Sequence, residues 1–286
     1  MTLDKNKNIL IIGLGLLGGS YAKALSRKGY KVKAITKEQS SVDYALKENI
    51  VQYATVNVEP ELVGEADLII FALYPNIFIN WIRENQHLFK SGAIITDVTG
   101  VKGSIVYKIQ DILRDDVEFI SAHPMAGKET SGVENSDDSM FTNANYIVVP
   151  TENNTKEAIE LCCDLGEKLR FYNVSVLSVE QHDKMIAFLS QLTHCIAVTL
   201  MCSNDSEELV NYTGDSFRDL TRIAKINDEM WSELFLLNKD ALLSEMDNFR
   251  NTFDEFYNAL KNENRVKMRE MMKCSTKRRT FFDKRG

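Results

Sequence analysis

The feature that most constrains this chain is the glycine pattern that ends its first apolar run. Residues Asn8 to Ile12 form a strand-like run that leads into Gly13-Leu14-Gly15-Leu16-Leu17-Gly18-Gly19, and an amphipathic stretch rich in Ala and Leu continues to Arg27 before Gly29 closes it. A second alternating run, Tyr30 to Thr36, follows, so the opening segment reads as a βαβ unit. A Gly-x-Gly-x-x-Gly pattern in isolation means little. Between a strand and a helix it has a physical reading: the first glycine permits the tight turn, the second lets the backbone approach a pyrophosphate, and the third lets the helix pack closely with its N-terminus facing the anion. Gly13, Gly15, Leu16, Leu17 and Gly18 are therefore expected to line a dinucleotide site.

Further strand patterns at Asp67 to Ala72, Gly92 to Asp97, Glu118 to Ala122 and Tyr146 to Val149 alternate with helical ones at Ile77 to Phe89 and Gly103 to Leu113. That alternation implies a mostly parallel sheet covered on both faces. After the helix Thr155 to Leu169 and a last strand-like run at Asn173 to Leu177 the character changes. No proline follows Ser178, and Met185, Leu189, Leu192, Ile196 and Leu200 recur at helical spacing. Ser178 with Gln181 fits a capping box opening a long helix, and Asn227 is placed to cap a later one. The expected fold is α/β: a Rossmann-type, mostly parallel sheet over residues 1–177, followed by an all-helical domain over 178–286.

A net charge of −7 argues against a nucleic-acid surface, which needs a concentrated basic face. The apolar runs Asn8 to Leu17 and Asp67 to Leu73 are too short to span a bilayer. The N-terminus enters a strand pattern without a signal-like apolar region, and the five cysteines form no CxxC, so a cytoplasmic protein with free thiols is expected. The stretch Met230 to Phe282 carries more apolar faces than one small domain needs, which points to a homodimer built on the helical half.

The position that reads the adenosine ribose, normally Asp or Glu at the end of the second strand, is Thr36 followed by Lys37. Loss of that carboxylate removes the repulsion against a 2′-phosphate and leans toward NADP, with NAD the other choice. Of four histidines, His87 lies in a polar helix and reads as a surface residue, whereas His123 directly follows a strand pattern. A neutral imidazole at a strand end suits general-base chemistry near neutral pH, with a turn-stabilising hydrogen bond as the alternative. Arg218 and Arg222, four apart on a helix beside Asp215 and Asp219, read as residues of exposed ion pairs, Arg218 above all.

Taken together, the glycine turn continuing into Ser20, Thr96-Asp97-Val98-Thr99-Gly100-Val101-Lys102, His123-Pro124-Met125-Ala126-Gly127, His182-Asp183 leading to His194, and Phe217-Arg218-Asp219-Leu220-Thr221-Arg222-Ile223-Ala224 resemble the prephenate/arogenate dehydrogenase family of tyrosine biosynthesis. The resemblance implies NAD- or NADP-dependent oxidative decarboxylation of prephenate to 4-hydroxyphenylpyruvate, or the corresponding reaction of arogenate. It implies that His123 takes the substrate hydroxyl proton, that Arg222 binds a substrate carboxylate, that His194 contacts the substrate or its neighbours, and that Asp97 lies among the cofactor contacts. Two departures stand out. Gly100 occupies the place where many members carry a Ser, with Thr99 as the nearest hydroxyl, and the stretch commonly reading Ser-His-Leu-Pro-His is here Ser190-Gln191-Leu192-Thr193-His194, which favours a straighter helix. A 3-hydroxyacid dehydrogenase is disfavoured because Lys184 is followed four residues later by Phe188. A non-catalytic nucleotide sensor is disfavoured by His123 and Arg222.

Overall fold

The computed structural model describes residues 2–128 and 130–283, which divide into one compact unit through Asn238 and another from Lys239 on. The first unit is built on β1 (Asn8–Ile12), β2 (Lys31–Ile35), β3 (Tyr53–Thr55), β4 (Leu68–Phe71), β5 (Ile94–Asp97) and β6 (Glu118–Phe119), all parallel in the order β3-β2-β1-β4-β5-β6. The helices α1 (Leu16–Arg27), α2 (Gln39–Lys47), α3 (Pro60–Gly64), α4 (Pro75–Asn85) and α5 (Val106–Ile112) connect the strands. Successive strand residues point to opposite faces, and both faces are covered. Ile9 and Ile11 of β1, with Leu68 and Ile70 of β4, pack into one apolar layer with Tyr21 and Leu25 of α1. Leu10, Ile12, Ile69 and Phe71 pack into the other, with Phe78 and Ile82 of α4. This is the doubly wound parallel sheet expected from the sequence.

The turn between β1 and α1 depends on its glycines. Gly13 has φ 101°, a conformation that suits a residue without Cβ. A Cβ on Gly18 would lie 1.9 Å from the Gly13 carbonyl oxygen, so α1 docks against the turn only because that atom is missing.

The run from Glu118 to Ala122, expected as one strand, is two. β6 ends at Phe119, Ile120 still donates to the Ile95 carbonyl at 2.9 Å, and the chain then leaves the parallel sheet. It continues as β7 (Ser121–Pro124), antiparallel to β8 (Asn145–Val149), which pairs in parallel with β9 (Asn173–Val176) beyond α6 (Lys156–Lys168). The break has a cause. One oxygen of Asp97 accepts from Ser121 Oγ at 2.6 Å and from the Ala122 amide at 3.1 Å, taking that amide out of the parallel ladder. His123 consequently lies inside β7, opposite Ile147, rather than just beyond a strand end.

From Val179 onward the described chain is helical. Ser178 and Gln181 form the expected capping box at the start of α7 (Val179–Ile186), and Asn227 caps α10 (Asp228–Leu237) through the Met230 amide. α7 runs on without a break into α8 (Thr193–Cys202), but through a π-helical segment, Ala187–Leu192. Thr193 therefore leaves the helix continuous yet not regular: its hydroxyl donates back to the Ser190 carbonyl at 2.6 Å, beside the wider turn. Residues Val179–Cys202 are long and apolar enough to cross a membrane by length and composition, which the shorter runs read from the sequence did not reveal. One such helix is weak evidence, and here Val179, His182, Ile186, Ala187 and Leu192 are buried within the protein. The short α9 (Asp215–Thr221) follows α8, and the second unit holds α11 (Lys239–Lys261) and α12 (Arg265–Arg279).

The contact beneath Gly18 gives a first prediction. Gly18→Ala should destabilise the protein by about 2–3 kcal/mol through overpacking against backbone, seen as a lower urea midpoint at unchanged m; an unaltered midpoint would show that α1 can shift freely.

Candidate active site

The glycine turn opens onto a surface that fits an anion. Gly15 is the N-cap of α1, no side chain caps that helix end, its first turn holds no acidic residue, and a Cβ on Gly15 would meet nothing within 4 Å. The amides of the first turn are thus left for a ligand, as a pyrophosphate requires. Gly15, Leu16 and Leu17 are half-buried, whereas Gly13 and Gly18 are buried and shape the turn from beneath. Thr36 directs its hydroxyl at the Leu14 amide, 3.4 Å away, and so joins the end of β2 to the turn. Lys37 is largely in solvent, 3.8 Å from Glu38. The residues present fit a dinucleotide.

Asp97, expected among the cofactor contacts, is instead fully buried. Besides Ser121 and Ala122, its carboxylate accepts from the Thr99 amide at 3.0 Å, from the Thr99 hydroxyl, and from Lys102 Nζ at 2.9 Å. Lys102 is also fully buried and donates to the Ala122 carbonyl at 2.7 Å and to Thr99 Oγ1 at 3.2 Å. Three acceptors around one nitrogen match the three protons of an ammonium. Burial pulls the Lys102 pKa below the usual lysine value, and the Asp97 carboxylate opposes that pull. The Thr99 hydroxyl, weighed above as a substitute for a Ser at Gly100, is engaged inside this network. Gly100 is the residue beside the imidazole: a Cβ there would lie 3.8 Å from His123 Nε2, and 3.8 Å from Leu234 on the other side.

Topology brings a second histidine to the first. His123 Nδ1 lies 2.9 Å from Nε2 of His182, whose Nδ1 lies 2.8 Å from Asp183 Oδ1. The protons on this chain follow from its end. The Asp183 carboxylate already receives the amides of Lys102 at 2.9 Å and Gly103 at 2.7 Å, and these bonds, with His182, hold its pKa below the ordinary value against the effect of burial. An ionised carboxylate only accepts, so His182 Nδ1 carries a proton. Its Nε2 is then a lone pair, His123 Nδ1 donates to it, and His123 Nε2 is left as a bare acceptor on the side of Gly100. His182 is fully buried, while part of the His123 surface remains open. His182 and Lys102 stand in the motifs that carry the family resemblance, but no role in the site was assigned to either from the sequence.

The remaining predicted residues lie on the helices. His194, at the start of α8, sets its Nδ1 2.8 Å from the Ser190 carbonyl and stacks on Trp231 with ring centroids 3.7 Å apart. Arg222 is exposed and opens the short 3-10 turn Arg222–Ala224 rather than continuing α9. Arg218 forms an exposed pair with Asp215 at 2.9 Å, the plain reading anticipated for it. The buried Gln191 of the π segment donates to the Leu234 carbonyl at 2.9 Å and accepts from Asn238 Nδ2 at 2.7 Å. Asn238 also donates to the Asp183 carbonyl at 3.0 Å, so Gln191 helps anchor the helix that carries His182 and Asp183.

Burial, the neighbouring His182 and the Lys102 charge, in that order, hold the His123 pKa well below 6.5, and burial lowers that of His182 despite the opposing hydrogen bond to Asp183. Both imidazoles are neutral at physiological pH. In the unfolded chain each takes its proton near the ordinary value, so below pH 6.5 the unfolded state binds more protons and stability falls with pH. The thermal midpoint should hold steady above that pH and drop below it; a midpoint that rises on acidification would contradict these depressed values. At the nucleotide turn, Gly15→Ala should leave the midpoint unchanged and weaken dinucleotide binding by about tenfold or more by blocking close approach, as measured by calorimetry. Equal affinity would place the pyrophosphate elsewhere.

Comparison with known proteins identifies the family. The family model "Prephenate dehydrogenase, nucleotide-binding domain" matches residues 21–171, and "Prephenate dehydrogenase, dimerization domain" matches residues 178–274. The prephenate dehydrogenase of Lactococcus lactis subsp. cremoris is 32% identical over 87% of this chain and 70% of its own length, and the cyclohexadienyl dehydrogenase of Zymomonas mobilis subsp. mobilis is 30% identical over 85% of each. A crystal structure of prephenate dehydrogenase from A. aeolicus, in complex with hydroxyphenyl propionate and NAD+, superposes with TM-score 0.90 at 28% identity, covering 99% of this chain and 100% of that one. The two family models account for both halves of the sequence in order, and the chain belongs to the prephenate dehydrogenase family of NAD(P)-dependent oxidoreductases.

Proposed function

We propose that this protein converts prephenate to 4-hydroxyphenylpyruvate and CO2, with His123 as the general base. The observation that carries the reading is the proton order along Asp183, His182 and His123, which leaves His123 Nε2 unprotonated beside Gly100, on a residue whose surface is partly exposed. The bound nicotinamide supplies a hydride acceptor. As the ring carbon bearing the hydroxyl gives up its hydride, the hydroxyl proton passes to His123 Nε2; the bond to the ring carboxylate breaks with release of CO2, its electron pair completes the aromatic ring and leaves the former hydroxyl oxygen as a phenolate, and that oxygen takes the proton back from His123. The protonated imidazole keeps its Nδ1 bond to His182, and the Asp183 carboxylate behind His182 stabilises the positive charge that forms. Arg222 serves as the carboxylate ligand, since a guanidinium fork matches that group, and His194 with Thr99 complete the site from the helix and from the Asp97 network. Gly15, Leu16 and Leu17 hold the pyrophosphate on the turn that Gly13 and Gly18 shape from beneath.

Residues 1–177 act as the nucleotide half and 178–286 as the substrate and dimerisation half of a cytoplasmic enzyme acting on a small molecule, with no role for nucleic acid or membrane. Support for a homodimer comes from α11, where Met246, Phe249, Phe253, Tyr257 and Leu260 recur at helical spacing and are all exposed. Light scattering at micromolar concentration should give twice the 32.6 kDa chain mass; a mass of one chain would remove this assignment.

Initial rates with prephenate and arogenate, each against NAD and NADP, test the substrate and the cofactor together. Prephenate should be the better substrate, and NADP should be accepted because no carboxylate occupies the ribose position at Thr36. Should arogenate prove faster, the substrate assignment falls. His123→Asn should lower kcat by about 10²–10⁴-fold with dinucleotide affinity retained, and turnover at the unmutated rate would remove His123 from the mechanism. Arg222→Gln should act mainly on the KM for prephenate; a change confined to stability would leave Arg222 as a surface ion-pairing residue.

A further inference from the structure

Lys102 is the only lysine or arginine among the described residues that is fully buried, and the reaction just described gives it no chemical step. Its two ends hold two parts of the relay. The ammonium joins Asp97, at the end of β5, to the Ala122 carbonyl in β7, one residue before His123. Its backbone amide, with that of Gly103, binds the Asp183 carboxylate on α7. A Cβ on Gly103 would lie 2.9 Å from Asp183 Oδ2, so the carboxylate is drawn tightly onto these two amides. We propose that Lys102 is a positioning residue for the proton transfer: it sets the separation of the β7 and α7 ends of the His123–His182–Asp183 chain and keeps a fixed positive charge beside it, so that His123 stays in its proton-accepting form. The proposal rests on the reading of His123 as the base.

The charged and titratable groups around His123 come from three segments. His182 and Asp183 face it from α7, and Asp97 and Lys102 from β5 and the connection to α5, while β8 sets Ile147 opposite. Asp183 favours a proton on the relay and Lys102 disfavours one. Burial and the ammonium prevail, which is the direction found for His123. A lysine that only filled the joint between the sheets would contribute to stability and leave the acid side of the pH profile in place.

The test is the pH dependence of kcat/KM for prephenate in the whole protein and in Lys102→Met and Lys102→Arg, with dinucleotide affinity and thermal midpoint measured for each. Lys102→Met should move the acid limb up by about one pH unit and lower kcat by about tenfold, with dinucleotide Kd within about twofold of the original. Lys102→Arg, which keeps the charge, should restore the limb. An acid limb in Lys102→Met that coincides with that of the unmutated protein overturns the proposal, as does a limb in Lys102→Arg displaced as far as in Lys102→Met. If Lys102→Met does not fold, the unmutated protein decides: ¹⁵N-lysine NMR should show a protected Lys102 ammonium signal persisting from neutral pH through the acid limb. A Lys102 amine already neutral at pH 7 overturns the proposal. His123→Asn separates the two readings: if it turns over normally the base assignment fails, whereas an inactive His123→Asn with an unmoved limb in Lys102→Met defeats the Lys102 proposal alone.

Discussion

The ion pair between Asp97 and Lys102 is the interaction on which the rest of the first unit depends. Removing two charges from water is costly, and a buried pair is tolerated only where geometry and further hydrogen bonds compensate. Here the carboxylate receives Ser121, Ala122, Thr99 and Lys102, and the ammonium finds three acceptors, so no charge is left uncompensated. Breaking such a pair from one side costs about 3–5 kcal/mol, which makes the joint discriminating as well as tight. It marks the point where the parallel sheet ends and the strand carrying His123 begins.

That placement explains why a nucleotide fold and an acid–base site share one element. β5 belongs to the same sheet as β1 and its glycine turn, and the segment after it supplies Gly100 beside the imidazole, the Lys102 and Gly103 amides for Asp183, and Ser104, whose hydroxyl donates to the Leu237 carbonyl at the end of α10. A short stretch of chain thereby meets β7, α7 and α10. The π segment extends the same logic, because its wider turn lets Gln191 reach both Leu234 and Asn238, and Asn238 holds the Asp183 carbonyl. Gln does not titrate, so this anchor keeps its hydrogen bonds at any pH where the protein is folded.

The neutral histidine pair follows from the same enclosure. Two imidazoles in contact, one fully buried, cannot both be charged without a counter-ion for each, and the single carboxylate at the end of the chain is already engaged by two amides. The outcome is an imidazole with a defined tautomer rather than a pair of interchangeable rings.

The sequence by itself determined the nucleotide half, since that half rests on local patterns. The Gly13, Gly15 and Gly18 spacing needs only its neighbours to form the turn, alternating apolar runs specify strands buried on both faces, and Ser178 with Gln181 announces its helix within four residues. The helical character beyond Ser178 was legible for the same reason, as was the family through motifs that keep their order. Only the tertiary structure decided what those motifs do to one another. Asp97 looked like a ligand contact and is a buried counter-ion, because the strand after it turns back over its carboxylate; the Glu118 to Ala122 run split for the same reason. His182 lies 59 positions from His123, and Lys102 81 from Asp183, separations at which local pattern carries no distance information. A lysine five residues after a strand-end aspartate reads as a solvated cation until the fold closes over it, and burial is a property of the fold, not of the residue.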